Sequence, residues 1–313
     1  MITYVDGYLL HAPAQTLVNT VNTVGVMGKG VAKEFKAAFP EMYGEYRRLC
    51  ELGRLRVGTL WLDKSSHKWV LNFPTKQDWR RPSKPEYVQE GLENFVQTYE
   101  QRGITSAAFP ALGCGNGGLD WIGLVKPMME RYLDQLPIQV FIYPHRNTTQ
   151  VPEHENPREI ARWLRSQPEA LSFHEFWADI TERLTVPRIY ARDGHQYKLA
   201  LIDEAVQIQN GASQLVEKDE MLDLWQQLRR NGFASEVLTP TGLEGRVQYL
   251  LPLVAELPYV RRVKVGRTYN DITGHRSDGL QFLPRANGTE LTAPRTATVV
   301  ESDRTDPQVK LPI

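Results

Sequence analysis

The chain has 313 residues, with 37 basic and 37 acidic side chains and a formal net charge of zero at pH 7. This balance excludes a general affinity for polyanions, and a hydrophobic content of 41% predicts a globular chain long enough for two domains. The two cysteines, Cys50 and Cys114, exclude a disulfide framework and indicate a reducing compartment. No apolar run reaches the roughly 18 residues of a membrane span, and the N-terminus lacks signal-peptide features. We therefore expect a cytoplasmic protein that makes no contact with membranes.

Short apolar segments alternate with longer helical patterns over residues 1–147. The strand-like segments are, in chain order, ITYV, TLVNTV, RVGTLWL, KWVLNFP, SAAFPAL and QVFIYP. The helical patterns between them are GVAKEFKAAF, EMYGEYRRLCELG, KPEYVQEGLENFVQTYEQRG and WIGLVKPMMERYLDQL. This alternation predicts an α/β fold in three layers, with helices on both faces of a largely parallel sheet and a ligand at its strand ends.

The sequence changes in character after Tyr143. A polar, proline-containing stretch from 144 to 159 predicts a linker. Helical and strand-like patterns then recur, which predicts a small α+β domain over residues 155–266 with its own core. The tail, residues 267–313, is rich in Gly, Pro and Thr and has few aliphatic residues, so we expect it to be extended or disordered.

The first glycine-rich loop, TVGVMGKGVAKEF at 23–35, follows a strand and precedes a helix. It is not a P-loop, because Lys29 is followed by Gly30 instead of Ser or Thr, and its G-x-x-G-x-G spacing is not the Rossmann fingerprint. Glycines let the backbone approach a phosphate, and the dipole of the following helix favours its negative charge. A tight turn that binds nothing explains a single loop of this kind equally well.

A second glycine-rich loop, PALGCGNGGLDW at 110–121, also lies between a strand and a helix. Two such loops at one edge of a sheet would hold a diphosphate from both sides, which favours a ligand over a plain turn. Asn19 and Asn22 lie beside the first loop. They either hydrogen-bond their own loop backbone or present an amide to sugar hydroxyls.

The segment NFPTKQDWRRPSK at 72–84 places a lysine just after a strand. Lys76 is either a solvated surface charge or, if it is desolvated in the cleft, a usable nucleophile. Trp79, Arg80 and Arg81 follow closely. They offer a stacking platform and phosphate contacts for single-stranded nucleic acid, unless Trp79 is pinned to the core beside a solvated loop.

Three segments in this order, LVNTVNTVGVMGKGVAKEFKAAFP, NFPTKQDW and PALGCGNGGLDW, resemble the macrodomain family, and most of all its DarG group. Members of that group are antitoxins that remove ADP-ribose from DNA. The resemblance implies a mixed six-stranded sheet between helices, with ADP-ribose across the strand ends, and neither a cofactor nor a metal. It covers residues 1–147 and leaves the rest of the chain unmatched.

The resemblance also assigns roles to individual residues. Lys76 would attack the anomeric carbon of the distal ribose, or stabilise the species formed as the base leaves. Asp120 stands where related lysine-dependent macrodomains carry an acidic partner, which can shuttle the proton that the amine must lose. Asn22 is expected at the distal ribose, and Tyr143 near the adenine or the proximal ribose. Many macrodomains carry an Asp after a Gly near the first strand, where it accepts from the adenine amine; this chain has Tyr8 at that position. The residues implied to bind ADP-ribose are Gly7, Tyr8, Leu9, Asn22, Gly28, Lys29, Gly30, Val31, Ala32, Gly113, Cys114, Gly115, Asn116, Gly117, Gly118 and Tyr143.

These features lead to one function hypothesis and two alternatives. The leading hypothesis is a DNA ADP-ribosyl glycohydrolase that acts on single-stranded ADP-ribosylated DNA, as the antitoxin of a paired DNA ADP-ribosyltransferase toxin. The alternatives are a non-catalytic ADP-ribose reader and a glycohydrolase for ADP-ribosylated protein. By its position, the domain at 155–266 is expected to bind the toxin. DNA binding through its arginine pairs, at 229–230 and 261–262, is equally open.

Overall fold

The computed structural model of the chain describes residues 1–64, 66–144, 152–240, 242–266 and 278–284. Much of the predicted linker and most of the predicted tail lie outside these ranges. We call the described residues up to 144 the first unit and those from 152 to 284 the second unit. None of the helices in the described ranges combines the length and the apolar character that crossing a bilayer requires.

The first unit is built on a six-stranded sheet, and its strand order explains why the predicted motifs meet. The strands are β1 Ile2–Tyr4, β2 Thr16–Val21, β3 Trp61–Asp63, β4 Trp69–Pro74, β5 Ser106–Pro110 and β6 Gln139–Tyr143. They lie in the order β1-β6-β5-β2-β4-β3, with β3 antiparallel to β4 and the other neighbours parallel. The sheet is thus mixed, as predicted. Because β5, β2 and β4 are parallel neighbours, the loops that follow them emerge at one edge.

Helices cover both faces of this sheet. They are α1 Gly30–Ala38, α2 Pro40–Glu51, α3 Pro85–Arg102 and α4 Lys126–Leu133. One apolar cluster joins Phe95 of α3 and Met129 of α4 to the sheet, and a second joins Phe35 of α1 and Tyr46 of α2 to its other face. The three-layer α/β/α arrangement that the sequence predicts is confirmed.

The second unit is α+β, also as predicted. Its helices are α5 Pro157–Ser166, α6 Phe173–Arg183, α7 Lys218–Asn231 and α8 Val247–Val254. Its strands are β7 Arg188–Arg192, β8 His195–Ile202, β9 Ala205–Gln209, β10 Ser213–Glu217, β11 Phe233–Ser235, β12 Val260–Lys264 and β13 Asp278–Phe282. They form an antiparallel sheet in the order β10-β9-β8-β7 and a second antiparallel sheet in the order β11-β13-β12.

The strand β13 corrects one expectation. It lies within the tail that the composition predicts to be extended or disordered, and it forms an ordered strand that pairs with both β11 and β12. Its residues Leu280 and Phe282 are buried in the core of the second unit, beside Trp225. Pairing on both edges and burial of two large apolar side chains explain why this short segment is ordered despite its polar surroundings in the sequence.

The two units pack directly against each other at the edge that carries the predicted motifs. Val26 and Trp79 of the first unit belong to the apolar cluster that forms the core of the second unit. Polar contacts surround this junction, and they include a hydrogen bond of 3.0 Å from Arg47 Nη1 to the carbonyl of Glu169. The second unit therefore contributes to the surroundings of any site at this edge.

Candidate active site

A cleft with a cavity volume of about 150 Å³ lies at the carboxyl ends of β2, β4 and β5. The predicted binding residues that line it are Asn22, Gly28, Lys29, Gly30, Val31, Ala32, Gly113, Gly115, Asn116 and Gly117. Lys76 lines it as well. The structure thus brings together all three segments on which the resemblance depends.

The start of α1 provides the anion-binding part of this cleft. Lys29 precedes the helix with an extended backbone (φ −140°) and makes no side-chain cap. The amide of Lys33 forms a hydrogen bond of the helix, donating to the carbonyl of Lys29 at 3.3 Å. The preceding amides, those of Gly30, Val31 and Ala32, have no intrahelical acceptor, and they carry the positive end of the helix dipole. An anion is the natural partner for such a helix end.

The second glycine loop is fixed by close backbone packing. A Cβ atom on Gly117 would lie 2.1 Å from the carbonyl oxygen of Gly113 and 2.3 Å from Ser83 Oγ. The carbonyl of Gly117 also accepts a hydrogen bond of 2.9 Å from the amide of Ser83. Only glycine fits here, because any larger residue would push the loop off the segment that follows Lys76.

The two asparagines beside the first loop have different surroundings. Asn19 is buried in the sheet and donates to Asn72 Oδ1 at 2.9 Å. Asn22 lines the cleft, but its amide is also bound to its own loop: Nδ2 donates to the carbonyl of Val26 at 2.6 Å. Its Oδ1 accepts from the amides of Val24 and Val26. Asn22 therefore holds the loop in shape at the place where it borders the cleft.

Lys76 is a desolvated lysine and not a solvated surface charge. It is only 5% exposed, and its Nζ donates to the carbonyl of Asn116 at 2.5 Å. Burial lowers the pKa of Lys76, while the nearby carboxylates of Glu153 and Asp78 act in the opposite direction. A lowered pKa raises the fraction of neutral amine, which is the form that can act as a nucleophile.

Glu153 is the carboxylate beside Lys76, and sequence reasoning missed it. It is 7% exposed, lines the cleft, and places Oε2 3.8 Å from Lys76 Nζ. Burial raises the pKa of Glu153, opposed by Lys76 and Lys29. Glu153 lies in the predicted linker, in a single 3₁₀ turn before α5. A lone glutamate in a polar linker carries no sequence signal that would single it out.

The second unit also contacts both glycine loops. A Cβ placed on Gly118 would lie 3.2 Å from His154 Cε1, and one placed on Gly28 would lie 3.1 Å from Trp163 Cζ3. His154 follows Glu153 in the same turn, and Trp163 belongs to α5. Residues from Glu153 to Trp163 thus extend over the cleft from one loop to the other.

Asp120 does not occupy the position expected for a partner of Lys76. It is exposed and is not among the described residues that line the cleft. Its carboxylate caps the following helix, accepting hydrogen bonds from the amides of Ile122 at 3.1 Å and Gly123 at 3.0 Å. An acidic residue that directly precedes a helix commonly has this role. The geometry therefore corrects the expectation that Asp120 is the acidic partner.

The residues expected around adenine lie together, outside the cleft lining. Leu9 and Tyr143 share one apolar cluster, and Tyr143 Cε1 would lie 3.7 Å from a Cβ on Gly7. The side chain of Tyr8 is largely exposed. The part of it that is buried raises the pKa of Tyr8, and the nearby carboxylate of Glu34 raises it further. Glu34 itself lines the cleft. This group is thus placed next to the cleft at its Glu34 end.

Two further predicted binding residues, Gly118 and Cys114, are not among the described residues that line the cleft. Gly118 contacts His154, as described above, and the Cys114 thiol donates to the carbonyl of Leu112 at 3.5 Å. Burial raises the pKa of Cys114 to about 12. Within the part of the chain that the structure describes, no group of three or more His, Cys, Asp or Glu side chains is placed to hold a metal.

Trp79 does not form the stacking platform that its neighbours suggested. Its ring is fully buried at the junction of the two units, and Nε1 donates to Glu175 Oε1 at 2.9 Å. Arg80 lies over the same ring and donates from Nη2 to Glu175 Oε2 at 2.7 Å. Arg81 is exposed. The alternative of a tryptophan pinned to the core is the correct one, because the second unit covers this ring.

Comparison with known proteins gives matches to the first unit. Residues 18–126 match the Macro domain family. A DNA ADP-ribosyl glycohydrolase of Thermus aquaticus is 46% identical over 148 residues, which are 46% of this chain and 41% of the relative. A DNA ADP-ribosyl transferase–DNA ADP-ribosyl glycohydrolase fusion protein of Thermosipho africanus is 38% identical over 161 residues, 45% of this chain and 41% of the relative. The solved macrodomain of Thermus aquaticus DarG is 45% identical, covers 46% of this chain and 97% of its own, and gives a TM-score of 0.43. The chain spans about two fifths of the length of these two curated relatives.

Proposed function

The first unit of this chain is a macrodomain, and we propose from this that the protein is a DNA ADP-ribosyl glycohydrolase, which removes ADP-ribose from modified DNA bases. The observation that carries the proposal is the position of Lys76. This lysine is desolvated, it lies between two glycine loops, and it faces a helix end suited to a diphosphate. The names of the curated relatives support DNA as the carrier of ADP-ribose.

Different parts of the cleft would bind the diphosphate and carry out the reaction. The amides at the start of α1 and those of the second glycine loop would hold the diphosphate. The distal ribose would then lie at the Asn22 and Lys76 end, with its anomeric carbon within reach of Nζ. Attack by the neutral amine on that carbon, with departure of the base, breaks the glycosidic bond.

We further propose that the protein is an antitoxin whose partner is a paired DNA ADP-ribosyltransferase. The fusion relative, whose name joins a transferase with a glycohydrolase, supports this pairing. The second unit is the part of the chain that we expect to bind the transferase. Single-stranded DNA remains the proposed form of the substrate, and Arg81, an exposed basic residue of the same segment as Lys76, is proposed to contact it.

The experiment compares substrates and variants side by side. The full chain is incubated with a single-stranded oligonucleotide carrying ADP-ribose on a base, and in parallel with an ADP-ribosylated protein, and free ADP-ribose is measured. We expect release from the oligonucleotide, loss of release in Lys76→Ala, and normal release in Lys84→Ala, which changes an exposed lysine of the same segment.

Each other result points to a different conclusion. Equal release by Lys76→Ala would remove the lysine from the chemistry. Release from the protein alone would favour the protein glycohydrolase. Calorimetry that detects ADP-ribose binding without turnover of either substrate would favour the reader.

A further inference from the structure

Lys76 shares its end of the cleft with a carboxylate from a distant part of the chain. The distance from Lys76 Nζ to Glu153 Oε2 is 3.8 Å, and both side chains are almost completely buried. The turn that carries Glu153 is fixed by its backbone: the amide of Glu155 donates to the carbonyl of Pro152 at 3.0 Å. Asn156 then caps α5 by accepting from the amide of Glu159. Glu153 is therefore held in the cleft by the structure around it.

We propose that Glu153, and not Asp120, is the proton acceptor and donor for Lys76 in the reaction. This inference rests on the proposed glycohydrolase function and deepens it, because it assigns the second functional group of the same site. A carboxylate next to a nucleophilic amine meets the geometric requirement for acid–base catalysis, whereas Asp120 is engaged in capping a helix.

Glu153 takes a proton from the Lys76 ammonium, which leaves a neutral amine and a neutral carboxylic acid. The amine attacks the anomeric carbon, the carbon–nitrogen bond to the base breaks, and the base leaves with the electron pair and takes the proton from Glu153. A water oxygen then attacks the same carbon, and Glu153 accepts a proton from that water molecule. Lys76 departs and recovers that proton, so the products are free ADP-ribose, the restored base and the original ion pair.

The electrostatic surroundings favour such a transfer. The charged groups that face Lys76 are Glu153 and Asp78, and those that face Glu153 are Lys76 and Lys29. Burial lowers the pKa of the amine and raises the pKa of the carboxyl, so the two values approach each other. A smaller difference between the two pKa values makes the neutral pair more accessible than it would be in water.

The test measures single-turnover release of ADP-ribose from the modified oligonucleotide as a function of pH. We expect Glu153→Gln, which keeps the shape but cannot accept the proton, to lower the maximum rate by about 100-fold or more. Glu153→Asp should recover part of this loss. Glu155→Gln, an exposed residue of the same turn, is the matched control and should leave the rate unchanged. Asp120→Asn keeps a good helix-capping residue and should lose less activity than Glu153→Gln.

A second measurement separates failure of this inference from failure of the proposed function. Lys76 is labelled with an amine-reactive anhydride over a range of pH, and the modified peptide is quantified by mass spectrometry. Without the neighbouring carboxylate the ammonium is less stabilised, so in Glu153→Gln the midpoint of labelling should move to lower pH. A wild type that releases no ADP-ribose, with this shift still present, would overturn the hydrolase function while supporting control of the Lys76 amine by Glu153.

Two results would overturn the inference itself. The first is a wild type that is active and a Glu153→Gln variant with the same rate and the same labelling midpoint. The second is a Glu153→Gln variant that is faster than the wild type, because Glu153 would then block the cleft instead of serving the reaction.

Discussion

The junction between the two units depends on one buried carboxylate, and its removal gives the sharpest test of how the cleft is supported. Glu175 of α6 is fully buried. Its two oxygens accept hydrogen bonds from Trp79 Nε1 at 2.9 Å and Arg80 Nη2 at 2.7 Å. Both donors follow Lys76 closely in the sequence. Glu175→Ala would therefore loosen the same segment that places the lysine.

The expected cost follows from the burial of each donor. The indole N–H of Trp79 would stay buried without an acceptor, which costs about 1–3 kcal/mol. The charge-assisted bond from Arg80 is worth about 1.5–3 kcal/mol when it is buried. However, the Arg80 side chain is 28% exposed and can turn towards water, so the lower end applies. Together these losses amount to about 3 kcal/mol, or about 150-fold in the unfolding equilibrium.

The assay is equilibrium urea unfolding at pH 7, followed by circular dichroism and compared between variants. Glu182→Ala is the matched control, since Glu182 is an exposed residue of the same helix, and it should change the free energy of unfolding by less than about 0.5 kcal/mol. Trp79→Phe should reduce the cost of Glu175→Ala, because the N–H that loses its acceptor is then absent. A loss below about 1 kcal/mol for Glu175→Ala would refute the reasoning.

Three further predictions follow from individual contacts. Gly117→Ala should lower the free energy of unfolding by about 1–3 kcal/mol, since its Cβ would meet a carbonyl oxygen at 2.1 Å. Gly115→Ala is the control: its Cβ would have open space around it, so it should cost less than about 0.5 kcal/mol. Thermal unfolding measures both changes. Burial alone would raise the pKa of Asp78, but hydrogen bonds from His174 and a backbone amide outweigh it and hold this pKa at about 2. Asp78→Asn should thus be less stable than the wild type at pH 7 by about 1–2 kcal/mol. This difference in the free energy of unfolding is fully present above pH 3.8, the ordinary pKa of the Asp carboxyl, and should narrow as the pH falls towards 2. Urea unfolding at several pH values measures the difference, and a difference that stays constant with pH would contradict the prediction. Finally, Cys114 should react with iodoacetamide about 1,000-fold more slowly in the folded protein than in urea at pH 8, since burial raises its pKa to about 12; equal rates would contradict this.

The sequence predicted the architecture of the first unit well because its signals are local. Each strand of the six-stranded sheet is a short apolar run, and each helix has an apolar face of its own. The glycine loops and Lys76 lie directly after strands, so the parallel arrangement alone brings them to one edge. Elements and site residues whose placement is determined by nearby residues in the sequence were therefore predictable.

Features that depend on contacts between distant segments were not predictable. Glu153 lies in the predicted polar linker, and nothing in the sequence indicates that its side chain lines the cleft. Trp79 among arginines has the pattern of a nucleic-acid platform, and only packing by the second unit shows that its ring is buried. In the same way, β13 has too few residues to carry a pattern and becomes a strand by pairing on both edges.

The expectation for Asp120 overlooked a local signal. Asp120 directly precedes a helix, which is the usual position of a capping carboxylate. Local cap chemistry, and not the family resemblance, pointed to the structure observed.

Glu153, His154 and Trp163 make the second unit part of the cleft, and this joins two binding equilibria that would otherwise be independent. If a macromolecule bound to the second unit displaces these side chains, it changes the affinity of the cleft for ADP-ribose, its proposed ligand, by some factor. Thermodynamic reciprocity then requires ADP-ribose to change the affinity for that macromolecule by the same factor. A titration of either ligand, with and without the other, therefore measures the coupling free energy between nucleotide and partner.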